Sequence, residues 1–148
     1  MNKKISIILF FFFFLIATLP AFSQEHFMAV GVKVEGTKEG TLSVSVYFND
    51  AVRPESVRGN RVRINGKPLP EKMPFLFNKS RRMIRFSLKN PRGREGGEDM
   101  KNNAFSLFIS DFRSVGDRML KPLELTDIRA GDFYKFSRSR LSWQKFSL

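Results

Sequence analysis

Any catalytic or metal chemistry in this chain would have to be built around one histidine. His26 is the only imidazole and there is no cysteine. A nucleophile–base pair or a metal site would therefore draw its other members from carboxylates. Asp50, Asp111 and Asp117 stand where apolar runs end. Carboxylates gathered at one end of a β-sandwich can hold calcium, which takes about six to eight oxygens. The same residues serve turns equally well, because Asp and Asn side chains bond their own backbone. No Asp-x-Asp-x-Asp-Gly run occurs, and His26 stands beside the expected mature terminus, where chains are commonly loose. These residues imply no cofactor, no metal and no catalytic site, so the expectation is a non-enzymatic protein.

Basic residues are the better prospect for function. Arg53, Arg58, Arg61, Arg63 and Lys67 crowd one segment, and Lys79, Arg81, Arg82, Arg85, Lys89, Arg92 and Arg94 crowd another, with no acid between Lys79 and Arg94. If Arg61, Arg63 and Arg85 lie on adjacent strands, they point to the same outward side as the turn residues Arg81 and Arg82. Arg61, Arg63, Lys79, Arg81, Arg82, Arg85, Arg92 and Arg94 then form a face for a polyanion or a protein partner. The alternative is a solvated surface that keeps edge strands from aggregating. No aromatic residues are interleaved for stacking bases, so sequence-specific nucleic-acid recognition is not expected.

The last residues carry a different pattern. Phe133, Tyr134, Phe136, Trp143 and Phe146 alternate loosely with Lys135, Arg138, Arg140 and Lys145. Rings at headgroup depth with cations on anionic lipid would suit peripheral membrane contact. The segment could equally fold back as a strand, dock on a partner or complete the core with its rings.

The compartment is written in residues 1–23. Lys3 and Lys4 precede an uncharged run from Ile5 to Leu19 with five consecutive phenylalanines, Phe10 to Phe14. Pro20 breaks the run, and Ala21-Phe22-Ser23 places small residues for a cut before Gln24. That is the order of a secretory signal peptide. An uncleaved anchor is the rival, since about 20 apolar residues span a bilayer. Cleavage leaves roughly 125 residues for the periplasm or cell surface. The absence of cysteine excludes disulfides and a lipid-modified terminal thiol. The 148 residues carry 26 basic and 14 acidic side chains, a net charge of +12. Losing Lys3 and Lys4 lowers the basic count to 24 and the charge to +10. Charge of this size attracts acidic lipids, phosphorylated glycans and acidic protein faces without choosing among them.

From His26 onward the apolar period is two, the mark of half-buried strands. Strands are expected over 28–34, 42–48, 62–64, 75–77, 84–88, 105–109 and 123–128. Asn65-Gly66 predicts a type I′ hairpin turn, Pro54 keeps its stretch out of a sheet interior, and Pro68 and Pro70 limit theirs to an edge or loop. The glycines and charges of 89–103 read as a surface loop. Seven short strands about 10 residues apart predict one antiparallel, all-β sandwich over 24–128, followed by a basic aromatic tail over 129–148.

Three segments resemble the bacterial immunoglobulin-like domains of S-layer and other surface proteins. Val44-Ser45-Val46-Tyr47-Phe48-Asn49-Asp50-Ala51-Val52-Arg53-Pro54-Glu55-Ser56-Val57 is similar to their strand entering a Phe-x-x-x-Val-x-Pro-x-Ser-Val loop. Asn60 to Gly66 is similar to their next strand. Phe105 to Asp111, with Gly116-Asp117 and Leu120-Lys121-Pro122, resembles their penultimate strand and following turn, with Gly-Asp in place of Gly-Asn. The resemblance spans roughly 27 to 128 and implies an immunoglobulin-like β-sandwich used for spacing or adhesion, with no catalytic residues. The expected function is therefore a secreted, cell-envelope binding or scaffolding protein whose partner is an envelope protein or an anionic glycan or lipid. The alternative is recruitment to a polyanion or membrane surface by the basic face and tail.

Overall fold

The computed structural model describes residues 25–37, 40–89 and 104–147. The expected leader, the body of the 89–103 loop and, with it, Arg92 and Arg94 lie outside the described residues. Strict alternation builds the longest strands. β1 (Ala29–Gly36) and β2 (Thr41–Phe48) turn Val32, Val34, Leu42, Val44, Val46 and Phe48 inward, all nearly inaccessible to solvent. β6 (Met83–Lys89) adds Ile84, Phe86 and Leu88 to the same side. β3 (Val62–Ile64), β7 (Phe105–Ile109) and β8 (Leu123–Ile128) supply the opposing apolar face, and β4 (Lys67–Pro68) and β5 (Leu76–Phe77) are short edge strands. β9 (Asp132–Ser137) and β10 (Ser142–Ser147) form a final hairpin.

The strands make two antiparallel sheets. One runs β10-β9-β1-β2-β6-β5 and the other β4-β3-β7-β8. Their inner faces share a single core, so the architecture is all-β and sandwich-like. Within it Phe48 packs between Phe27 and Phe112, with ring centroids 5.6 and 6.3 Å away. Each such fully buried side chain contributes about 1.5–3 kcal/mol. Among the described residues there is no α-helix, and none is long and apolar enough to cross a membrane.

Turn chemistry follows the residues. Asn65 and Gly66 both take positive φ, 51° and 77°, as a type I′ turn between β3 and β4 demands. Pro54 and Gly59 open two single 3-10 turns, Pro54–Ser56 and Gly59–Arg61. Gly59 is fixed by a close approach: a Cβ there would stand 1.7 Å from the Pro70 carbonyl oxygen. The buried Ser56 hydroxyl donates to the Arg53 carbonyl at 2.7 Å and accepts from the Arg113 amide at 2.9 Å, tying this loop to the β7–β8 connection.

Two expectations change here. Ten strands are present among the described residues rather than seven, because β4 joins the edge and the tail supplies β9 and β10. The expected boundary after residue 128 does not separate a tail from the sheets, since β9 pairs with β1 from Gly31↔Lys135 to Lys33↔Phe133. The reason is local. Asp132 is buried and accepts from the Arg129 amide at 2.8 Å, from Lys145 Nζ at 2.8 Å and from the Tyr134 hydroxyl at 3.3 Å. Tyr134 and Lys145 also reach the Asp127 carbonyl, at 3.1 and 3.4 Å. Trp143 packs against the core, and Phe136 meets its ring edge-on at 5.6 Å. Burial, with the Asp132 charge, pushes the Tyr134 hydroxyl up, and the hydrogen bond to Asp132 raises Lys145.

Candidate functional site

The two basic clusters of the sequence are not brought together. Arg61 and Arg63 belong to the β3 side, in the four-stranded sheet, whereas Arg85 lies on β6 in the six-stranded sheet. The expectation that they share one outward side is therefore wrong. β3 pairs with β4 and β7, not with β6, and the outer faces of the two sheets look in opposite directions.

The first cluster is largely engaged within the fold. Arg61 Nη1 donates to the Ser56 and Asp111 carbonyls at 2.9 and 2.7 Å. Arg53 and Arg113 both reach Asp117, at 3.2 and 3.3 Å, and Arg58 reaches Glu71 at 3.0 Å. Arg63 is exposed, opposite Phe108 and Pro68. The loop-end carboxylates are likewise held apart. Asp117 has its two arginines, Asp111 accepts from the Ser110 hydroxyl at 2.8 Å, and Asp50 pairs with Arg118. Burial pushes the Asp50 carboxyl up, but the Ala51 amide and the Arg118 and Arg82 guanidinium charges outweigh it and hold it below the usual range. Among the described residues no three His, Asp or Glu side chains converge for a metal.

The second cluster is divided by role. Lys79, Arg81 and Arg82 are exposed on the turn between β5 and β6, where Arg81 takes φ 55°. Arg85 Nε donates to the buried Ser45 hydroxyl at 3.0 Å, which anchors it flat on the sheet.

The six-stranded sheet carries the surface with the richest chemistry. Pairing aligns one outward row, Phe146–Phe133–Lys33–Ser45–Arg85–Leu76, across all six strands. Beside it runs a second, Gln144–Lys135–Gly31–Tyr47–Met83. Where the rows meet, a shelf of about 480 Å³ is lined by Val30, Gly31, Lys33, Tyr47, Phe133 and Lys135. Gly31 lacks the side chain that would fill it: a Cβ there would meet the Tyr47 ring at 3.4 Å. Val30 and Lys135 are shared with a wider cleft of about 790 Å³ at the hairpin end, where Arg82, Arg138 and Gln144 also project. Phe133 and Phe146, tilted by 38° with ring centroids 6.2 Å apart, form the outer wall.

Among the described residues Arg82 and Lys135 make no ion pair, Lys33 pairs with Glu35 at 2.8 Å, and Arg138 pairs with Glu25 at 2.5 Å. All four cations are held by the sheet or its turns, with charge left at the surface. Such an arrangement suits noncovalent binding of an anionic or mixed partner. Lys135 and Arg138 lay in the aromatic segment rather than among the expected site residues. Their signal was the interleaving with Phe133, Tyr134 and Phe136. The chain matches no protein-family model, no curated protein and no solved structure.

Proposed function

We propose that the protein is an exported, non-enzymatic binding or scaffolding module of the cell envelope. It is built on one immunoglobulin-like domain and engages its partner with the outer face of the six-stranded sheet. The strand order supports the domain reading. β1-β2-β6-β5 opposite β3-β7-β8 follows the four-plus-three arrangement of an immunoglobulin sandwich, with β4 added at one edge and the β9–β10 hairpin at another. The positions of Ser56 and Val57, after Pro54 in a loop leaving β2, support the likeness to surface-protein domains. Export rests on the charged, apolar and small-residue order of residues 1–23.

The observation that carries the binding role is the pair of outward rows. They combine half-buried rings with cations on rigid strands, which holds a contact surface in place without folding on binding. On the other side of the molecule the arginines of the first cluster are mostly taken up by Asp117, Glu71 and backbone carbonyls. The second reading is recruitment to an anionic membrane surface. It is favoured by the hairpin tip, where Arg138 and Arg140 precede Leu141, which is 80% exposed.

Co-sedimentation of the chain from Gln24 with isolated envelopes tests the proposal. Arg82→Glu with Lys135→Glu should abolish retention, while Arg63→Glu with Lys67→Glu on the opposite sheet should leave it unchanged. Equal loss in both pairs would reduce the interaction to net charge and overturn the proposal. Retention on protein-free vesicles of the envelope's lipids, lost with Arg140→Glu, would favour the membrane reading.

A further inference from the structure

The shelf and cleft on the six-stranded sheet have the chemistry of a site for an acidic sugar chain. This inference rests on the binding role proposed above and names its ligand class. Three features of the site converge. The first is a pair of aromatic side chains on the outward face. Tyr47 and Phe133 are half-buried and line the shelf with Gly31, Tyr47 opposite Gly31 and Phe133 opposite Lys33. The negative face of an aromatic ring attracts the weakly positive C–H groups on one face of a sugar ring.

The second feature is a carboxylate already in place. The Glu25 side chain reaches Arg138 at 2.5 Å, and both groups are well exposed. Arginine presents a planar fork matched to a carboxylate, so this ion pair occupies the position that an external acid would take. The third is the spacing of functions along one groove. Lys135 divides the aromatic shelf from the cleft that holds Arg82 and Arg138, so a ring on the shelf places its neighbour at the cations. Ser137, Ser139 and Gln144 line that cleft; the two serine hydroxyls share a hydrogen bond at 3.1 Å and keep further capacity for sugar hydroxyls, whereas the Asn49 amide is taken by the His26 carbonyl and the Met28 amide at 2.7 and 2.9 Å.

We propose that this groove binds a carboxylate-bearing polysaccharide, with one sugar lying on Tyr47 and Phe133 and the acid groups of adjoining sugars at Lys135, Arg82 and Arg138. Glu25 is then an internal competitor, displaced from Arg138 as the ligand enters.

Calorimetric titration of the chain from Gln24 tests this with hexamers of galacturonate and of mannuronate. The comparison ligands are the methyl-esterified hexamers, linear polyphosphate and phosphatidylglycerol vesicles. Binding of a uronate hexamer is expected, weakened at least about tenfold by esterification, which is about 1.4 kcal/mol. Tyr47→Ala should weaken it about tenfold without changing net charge, and Lys135→Gln should weaken it similarly. Glu25→Gln should tighten it about threefold by removing the competitor. Unfolding curves on each variant keep loss of fold apart from loss of binding, and the exposed Lys135 variant remains informative if Tyr47→Ala unfolds. Polyphosphate or vesicles binding as tightly as the uronates, or Tyr47→Ala without effect in a folded protein, would overturn the proposal in favour of charge alone. No uronate binding by protein that still sediments with envelopes would overturn the ligand class and leave the binding surface standing. Failure of both would remove the two together.

Discussion

Two basic regions of this protein look alike in sequence and differ in what their charges touch. Around residues 53–67, Arg53 and Arg58 meet carboxylates and Arg61 caps two backbone carbonyls. Beside the outer face of the six-stranded sheet, Lys135 and the turn residue Arg82 make no ion pair among the described residues, and they border rings instead. The first region uses cations to join a loop to the β7–β8 connection. The second holds them at the surface of strands fixed from below. Counting charges cannot separate these roles, because both regions are strongly basic. What separates them is what the engaged cations hold: Arg53 and Arg61 tie their loop to the β7–β8 connection, whereas Lys33 and Arg138 pair only with exposed carboxylates beside the rings.

The sharpest way to break the first region is to disturb the turn that aims Arg58 and Arg61. Gly59→Ala would drive a methyl group into the Pro70 carbonyl, and the backbone there has little room to yield. Urea unfolding should show a loss of about 3 kcal/mol, at the upper end for overpacking.

Asp132→Ala tests the scaffold of the second region. It strips Lys145, Tyr134 and the Arg129 amide of a buried acceptor, which should cost about 2 kcal/mol. Envelope retention should fall with it, because the β9–β10 hairpin carries Lys135 and Arg138. The same network sets an alkaline limit. Lys145 and Tyr134 both titrate above their ordinary values of 10.5 and 10.0 in the folded chain. Their contribution is complete below those values and disappears as pH rises through the higher folded ones. The thermal midpoint should therefore begin to drop above pH 10.0 and more steeply above pH 10.5, and Lys145→Met should make that drop shallower.

Matched neutralisations sharpen the comparison directly. Arg61→Met should cost about 1.5 kcal/mol of stability, since it leaves two carbonyls without a charged donor, and should leave envelope retention intact. Lys135→Gln should change stability by less than about 0.5 kcal/mol, as exposed substitutions do, and should weaken retention. Loss of stability in the second variant, or of binding in the first, would erase the distinction.

Much of the fold was legible because one buried face imposes period two. β2 alternates Leu42, Val44, Val46 and Phe48 with Ser43, Ser45 and Tyr47, so its span and its inward side follow from the residues. Asn65-Gly66 announced its turn for an equally local reason. β9 and β10 were obscured because their pattern is inverted at the network. Asp132 and Lys145 share the inner side with Tyr134, while Phe133 and Phe146 lie outside. A buried charge becomes readable only once its partner is known, and Asp132 finds Lys145 on the next strand. The site was half legible for a related reason. Basic composition pointed to an anionic partner, but strand pairing decides which cations share a face. β3 joins β7 across more than forty positions, which takes Arg63 away from Arg85.

Lysine acetylation footprinting, with the chain from Gln24 free and then bound to isolated envelopes, tests the central claim most directly. Modification at each site is read by mass spectrometry. Lys135 and Lys33 should become protected on binding, while Lys67 on the opposite sheet should react as before. Protection of Lys67 with Lys135 and Lys33 unchanged would contradict the account and move the contact surface to the four-stranded sheet.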